Sequence, residues 1–306
     1  MRTTEPDLPA ELIPWLAEHL GGEIIKTVDC GSGFTPGITT RITVARPDGL
    51  LAHRFLKAIR RDHPLSDAYQ AEATIGRTLP ATEVVPTLRW AGKIHDWSVL
   101  IFDDAGSRTA NFQPGSPDLT SAVATVNSLH RLDTPAALPN IRGTLGPILH
   151  GWTDLAQNPK FTPDDWTAEH LDLLISAERT WTDQADGQAL LHTDIRAANL
   201  VVDDTRRVRV VDWAHACRGA PWIDTAELLS HLVVAGHTPD QAENLLAGTV
   251  LDEAEPMVVT SFIVASAGYW RRSSLQPPPA NTEGLREFQA RAADAATSIL
   301  HYRLVR

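Results

Sequence analysis

The chain is poor in cysteine, in positive charge and in long apolar runs. Its two cysteines, Cys30 and Cys217, stand in no paired spacing, which excludes a disulfide framework, a zinc ribbon and a C-x-x-C redox motif. Lys and Arg number 27 against 38 Asp and Glu, a net charge of −11. Phosphate backbones are held mainly by Lys and Arg, so a general nucleic-acid binder is excluded. The most apolar stretch, MVVTSFIVASAGYW, is shorter than a bilayer span and carries Thr and Ser, so a buried core helix is expected and no membrane role. The opening MRTTEPDLPAELIPWLAEHL has early acids and no unbroken apolar core, so it reads as a first helix of a cytoplasmic protein rather than a signal peptide.

What is present divides by periodicity. In the first hundred residues EIIKTVDC, TTRITVAR and LLAHRFLKAI read as strands, the last two joined by the turn Pro47-Asp48-Gly49. LSDAYQAEATIGRTL follows as a helix, with Leu65, Ala68, Ala71, Ile75 and Leu79 as its apolar stripe and Pro80 closing it. PTLRWAG and WSVLIFDD complete a sheet-forming region, and after Asp104-Ala105-Gly106 the patterns become long and helical. The expectation is an α+β chain with a boundary at Phe102–Gly106: residues 1–104 an antiparallel sheet lobe with a helix, residues 105–306 a mainly helical lobe. NLVVDD and VRVVDW read as a small hairpin within the second.

Four elements carry chemistry. His192, Asp194, Arg196 and Asn199 in LLHTDIRAANLVVDD match the His-x-Asp-x-x-x-x-Asn spacing of kinase catalytic loops. Asp212 ends the strand after that loop, and the hairpin between them can return its carboxylate beside the Asn199 amide. One anionic and one neutral oxygen suit Mg²⁺, which keeps waters and substrate phosphates as its other ligands. Lys57 alternates with Phe55 and His53 on one strand face, where an amine needs an anion; Glu72 on the following helix is one candidate and a nucleotide's phosphates another. In CGSGFTPGITT, Gly31, Gly33 and Gly37 permit close approach of backbone to phosphate. The spacing Gly-x-Gly-x-x-x-Gly fits a glycine-bearing hairpin loop as well.

With these elements in order, the sequence resembles the aminoglycoside phosphotransferase family of small-molecule antibiotic kinases, through GFTPG, Lys57, Glu72, HTDIRAAN, VVDW and GAPWIDTAELL. The resemblance implies a two-lobed protein-kinase-like fold and an ATP-dependent O-phosphotransferase. It assigns Asp194 to the acceptor hydroxyl, Asn199 and Asp212 to Mg²⁺, and Lys57, positioned by Glu72, to the ATP phosphates. His192 would brace the loop, Arg196 stabilise the transferred phosphoryl group, and Asp224 hold the loop in place. Gly31, Ser32 and Gly33 would cover the phosphates, and the backbone of Phe102 to Asp104 would bind adenine. Thr193 stands where the family often has Gly.

The acceptor stays open between an aminoglycoside or other antibiotic and a metabolic sugar or amino alcohol such as choline. The acidic composition would suit a cationic acceptor, which FTPDDWTAEHLD and LDEAEP could line unless they are solvated helix ends. A pseudokinase would lack Lys57, Asp194 or Asp212, and all three are present.

Overall fold

The computed structural model describes residues 8–31, 37–279 and 282–304. Its chain divides into two compact units, Met1–Arg108 with Val201–Ala214, and Thr109–Leu200 with His215–Arg306.

The first unit is built on an antiparallel sheet of β1 (Glu23–Asp29), β2 (Ile38–Ala45), β3 (Leu51–Arg60), β4 (Leu88–Ile94) and β5 (Trp97–Asp103), in the order β1-β2-β3-β5-β4. Strand alternation sends successive β3 residues to opposite faces. Leu56 and Ala58 join Ile42, Val44, Val99 and Ile101 in a core closed by Leu12 and Leu16, the latter on α1 (Ile13–Leu20). Ile59 and Leu100 pack on the other side against Tyr69 and Ala73 of α2 (Ser66–Gly76). Lys57, between Phe55 and Ile59 in the same parity, shares the α2 side of the sheet.

The α2 helix corrects one expectation. Its buried residues are Ser66, Tyr69, Glu72 and Ala73, whereas Leu65, Ala68 and Ala71 are exposed. The stripe is rotated because Tyr69 offers more apolar surface than the alanines beside it, and because Glu72 turned inward meets a cation.

The remaining strands are short: β6 (Arg108–Thr109), β7 (Ala189–Leu191), β8 (Leu200–Val202), β9 (Val208–Val210) and β10 (Cys217–Gly219). Val201–Ala214 groups with the first unit through its bonds. Val210 N donates to Val84 O at 2.8 Å, and Arg209 Nη1 donates to the carbonyls of Asp104 and Ala105 at 3.2 and 3.1 Å.

The second unit carries α3 (Leu119–Ser128), α4 (Ile141–Leu145), α5 (Gly151–Gln157), α6 (Asp165–Ala177), α7 (Ile223–Val234), α8 (Pro239–Leu246), α9 (Pro256–Ser274) and α10 (Leu285–Leu304). The apolar run forms the middle of α9, where Val258 to Ala265 are buried without a break, as its composition requires. Among the described residues no helix is long and apolar enough to cross a membrane. Trp152 of α5 is buried against α9 and donates its indole N–H to Val264 O at 2.8 Å. The two helices approach closely because Gly151 faces Gly268: a Cβ on Gly151 would lie 2.0 Å from the Gly268 carbonyl. Gly151→Ala must part them, and overpacking of this kind costs about 1–3 kcal/mol. Chemical denaturation should show a lower midpoint with an unchanged slope; an unshifted midpoint would mean the crossing is soft.

Candidate active site

In the first unit β3, α2 and the chain after β9 meet at one amine. Lys57 Nζ donates to both carboxylate oxygens of Glu72 at 2.8 Å and to Asp212 Oδ1 at 2.9 Å. Burial alone would pull the amine's pKa down, but the two carboxylates more than offset it and hold it above the ordinary lysine range. Burial also pushes Glu72 up, with Lys57 opposing. The amine therefore stays charged. Asp212 has φ +69, a left-handed turn that Asp tolerates better than most residues.

The other first-unit expectations fall as follows. Ser32 and Gly33 lie outside the described residues. Gly31 N donates to Asp29 Oδ1 at 2.9 Å. Gly37, at φ +138, has no room for a side chain, since a Cβ would meet Tyr69 Oη at 2.4 Å. Phe102 pairs with Phe55 of β3 and Leu88 of β4. The Asp104 carboxylate accepts Arg41 Nε at 2.9 Å and Nη2 at 2.5 Å, so β2 is pinned to the end of the sheet by a two-pronged ion pair. Arg41 is a residue that spacing could not identify, because its partner is 63 positions away.

In the second unit β7 and β10 pair antiparallel, Leu191 opposite Cys217, and deliver His192 into a buried loop. His192 Nδ1 accepts Asp194 N at 3.2 Å. Asn199, at the end of a single 3₁₀ turn, donates its amide to Asp194 O and Oδ2, both at 2.8 Å. Arg196 Nε lies 3.3 Å from the Asp194 carboxylate. The loop thus presents a partly exposed carboxylate whose rotamer is set by an amide and a guanidinium.

What holds the loop is the start of α7. Asp224, buried in its first turn, accepts His192 N at 2.7 Å and Thr193 N at 3.0 Å. Three positions on, Glu227 accepts Ile195 N at 2.9 Å. Burial and the neighbouring Asp224 hold the Glu227 carboxyl well above the usual carboxylate range, and burial raises Asp224 as well. Glu227 went unnoticed in the sequence, although the i, i+3 spacing from Asp224 puts both on one helix face. Thr193 has φ +62, which explains why glycine suits this position, and its hydroxyl donates to His215 O at 2.9 Å. Within the acidic stretches, Asp164 caps α6 by accepting Thr167 N, and Asp252 accepts Gly248 N at 2.7 Å.

The donor chemistry fits the implied Mg²⁺. Asn199 commits its amide hydrogens to Asp194, which leaves its oxygen as the atom for a cation. Asp212 offers a carboxylate with about a third of its surface open. Among the described residues no group of three or more His, Cys, Asp or Glu side chains could hold a metal. A cation that takes few protein oxygens and fills its sphere with water and phosphate needs no such cage.

The sequence model of the phosphotransferase enzyme family matches residues 41–257. No curated protein matches the sequence. A thermostable mutant of aminoglycoside phosphotransferase APH(4)-Ia, in ternary complex with AMP-PNP and hygromycin B, is similar at 14% identity and TM-score 0.63, over 96% of this chain and 98% of that one. Spectinomycin phosphotransferase APH(9)-Ia, with ADP and spectinomycin, is similar at 12% and 0.61, over 96% and 99%. Choline kinase LicA from Streptococcus pneumoniae is similar at 10% and 0.58, over 93% and 98%. The α+β fold is thus the protein-kinase-like one.

The raised Glu227 pKa makes stability depend on pH. A carboxyl whose folded pKa exceeds its unfolded value stabilises most below the unfolded value, and that contribution is lost as pH rises through the folded pKa. Glu227→Gln keeps an acceptor for Ile195 N and removes the titration. The variant's melting temperature should therefore gain on wild type across a window that opens at the unfolded carboxyl value, about pH 4.3, and extends upward. Melting curves that stay parallel over that window would place the proton elsewhere.

Proposed function

We infer that this chain, which belongs to the phosphotransferase enzyme family, is a small-molecule kinase that transfers the γ-phosphoryl group of ATP to a hydroxyl of its acceptor. The observation that carries this reading is the Lys57 amine held between Glu72 and Asp212. A buried ammonium fixed by one fully buried carboxylate is preorganised to meet a second anion, here the phosphates of the nucleotide. When bound, Mg²⁺ would neutralise charge on the phosphate oxygens; the Asn199 amide oxygen and the Asp212 carboxylate would hold it.

In the transfer itself the acceptor oxygen bonds to the γ-phosphorus, the bond to the β,γ-bridging oxygen breaks, and ADP leaves. The hydroxyl proton passes to Asp194, whose carboxylate Asn199 and Arg196 orient. Phosphoryl transfer leaves the protein mostly positioning and charge stabilisation to perform. Arg196, beside Asp194, adds positive charge for the transferred group, while Asp224 and Glu227 keep the loop backbone in place. The acceptor is a small hydroxylated molecule. Hydroxylated antibiotics, aminoglycosides among them, and the metabolic sugars and amino alcohols are the classes to separate, by ATP consumption across a panel with mass detection of the product.

Asp194→Asn removes the proton acceptor and keeps the shape. Turnover should fall by at least about 10³-fold, with ATP affinity within a few-fold of wild type. Near wild-type turnover in the D194N enzyme would take Asp194 out of the chemistry. Asp212→Ala should instead weaken nucleotide binding and abolish its dependence on Mg²⁺; a Mg²⁺ titration identical to wild type would count against the ligand assignment.

A further inference from the structure

The first unit holds a cavity of about 560 Å³ at the end of its sheet. The β2–β3 turn supplies Arg46, Leu50 and Leu51 to its wall, and β3 supplies residues as far as Arg54. Residues 82–87 before β4, the end of β5 at Asp103 and Asp104, and Arg209 of β9 complete it. Lys57, Glu72 and Asp212 do not line this cavity. Lys57 comes three residues after Arg54 and on the opposite face of the strand. A smaller hollow of about 160 Å³ shares Arg46, Ala52 and Arg54 with the cavity and adds Arg89 and His19.

The acids of the wall are already matched. Asp104 takes both prongs of Arg41, and Glu83 lies 3.5 Å from Arg207. Asp103 accepts Arg89 at 2.8 and 2.6 Å, with Arg54 at 3.6 Å from the same carboxylate. Asp48, within the turn, accepts Leu50 N at 3.0 Å. The bases are less fully matched. Arg209 lies 3.5 Å from Asp203, but Arg54 and Arg89 share one acid, and Arg46 pairs with no carboxylate among the described residues. Three guanidinium groups from separate strands and turns are thus gathered around a single carboxylate, in a chain with 38 acids to 27 bases. They repel one another, and an anion relieves the repulsion. Next to Arg46 and Arg54 in the wall, Leu50 and Leu51 are 62% and 57% exposed, and Val85 and Pro86 add further apolar surface. A bare inorganic ion leaves that surface wet, whereas an anion with an apolar body covers it.

We propose that this cavity is a second binding site, separate from the Lys57 cluster, for a small carboxylate with an apolar body. The carboxylate lies on the forks of Arg46 and Arg54, whose geometry suits a two-oxygen anion, and the apolar body covers Leu50 and Leu51. A single negative charge fits better than a phosphate dianion, because Glu83, Asp103 and Asp104 stand in the same wall. The volume is that of a pocket for one small molecule.

The test is calorimetric titration of the whole chain with four probes: 1-naphthoate, the neutral 1-naphthamide, the cationic 1-naphthylmethylamine and inorganic phosphate. Naphthoate should bind one to one and at least about tenfold more tightly than each of the others. Arg46→Gln and Leu50→Ser, both at exposed side chains, should each weaken it by roughly fivefold or more. Excess MgADP should leave its affinity unchanged. Amide, amine or phosphate binding as tightly as naphthoate, an unchanged affinity in either variant, competition by MgADP, or no saturable binding of naphthoate overturns the proposal. The contrast among probes is read on the wild type, so it holds whatever the variants do. None of the probes is a nucleotide or a hydroxylated acceptor, so the result is independent of the kinase reading.

Discussion

A lysine amine 2.8 Å from one carboxylate and 2.9 Å from another is where three distant stretches of chain are made to agree. The register of β3 puts Lys57 on the α2 side of the sheet, the rotation of α2 turns Glu72 inward, and the chain after β9 ends its strand with Asp212 in a left-handed turn. None of the three is favourable alone. A buried ammonium without an anion would shed its proton, and a buried Glu72 without a cation would take one up. The one amine thus serves both carboxylates. Asp212 is the more exposed of the two acids, so the inferred divalent cation would share it rather than Glu72.

The loop of the second unit obeys a different constraint, that of backbone donors which must not be left unpaired. His192, Thr193 and Ile195 each point an N–H at a carboxylate on the first two turns of α7. With those three amides fixed, Thr193 can occupy a left-handed conformation that would otherwise cost about 1–3 kcal/mol. The consequence is a rigid platform for Asp194, whose own carboxylate remains partly open. Rigid backbone and an open side chain together are what a group needs if it is to meet a hydroxyl in one orientation.

Much of this was legible in the residues. The five strands follow from runs of β-branched and aromatic residues between turn signals, and α9 from the length of its apolar run. The stretch from His192 to Asn199 and the pair Lys57 and Glu72 could be picked out because their spacing is short or stereotyped. Other features had no such mark. The apolar spacing of α2 pointed one residue away from its true buried stripe, because Tyr69 and Glu72 outweigh small alanines. The Arg41–Asp104 pair joins positions 63 residues apart, which no local pattern encodes. Glu227 was within reach, since an acid one turn after a buried Asp on the same helix face is a signal in itself.

Total charge and local charge point different ways in this molecule. A net charge of −11 draws cations toward the surface as a whole, but at physiological salt an exposed charge is largely screened beyond about 8 Å. Asp164, which caps α6, and Asp252 are both spent on backbone amides. At the loop itself, burial and the neighbouring Asp224 hold the Glu227 carboxyl well above the usual carboxylate range, and Asp194 lies 3.3 Å from the Arg196 guanidinium. The net acidity of the chain is therefore no guide to the charge of a molecule bound at the loop.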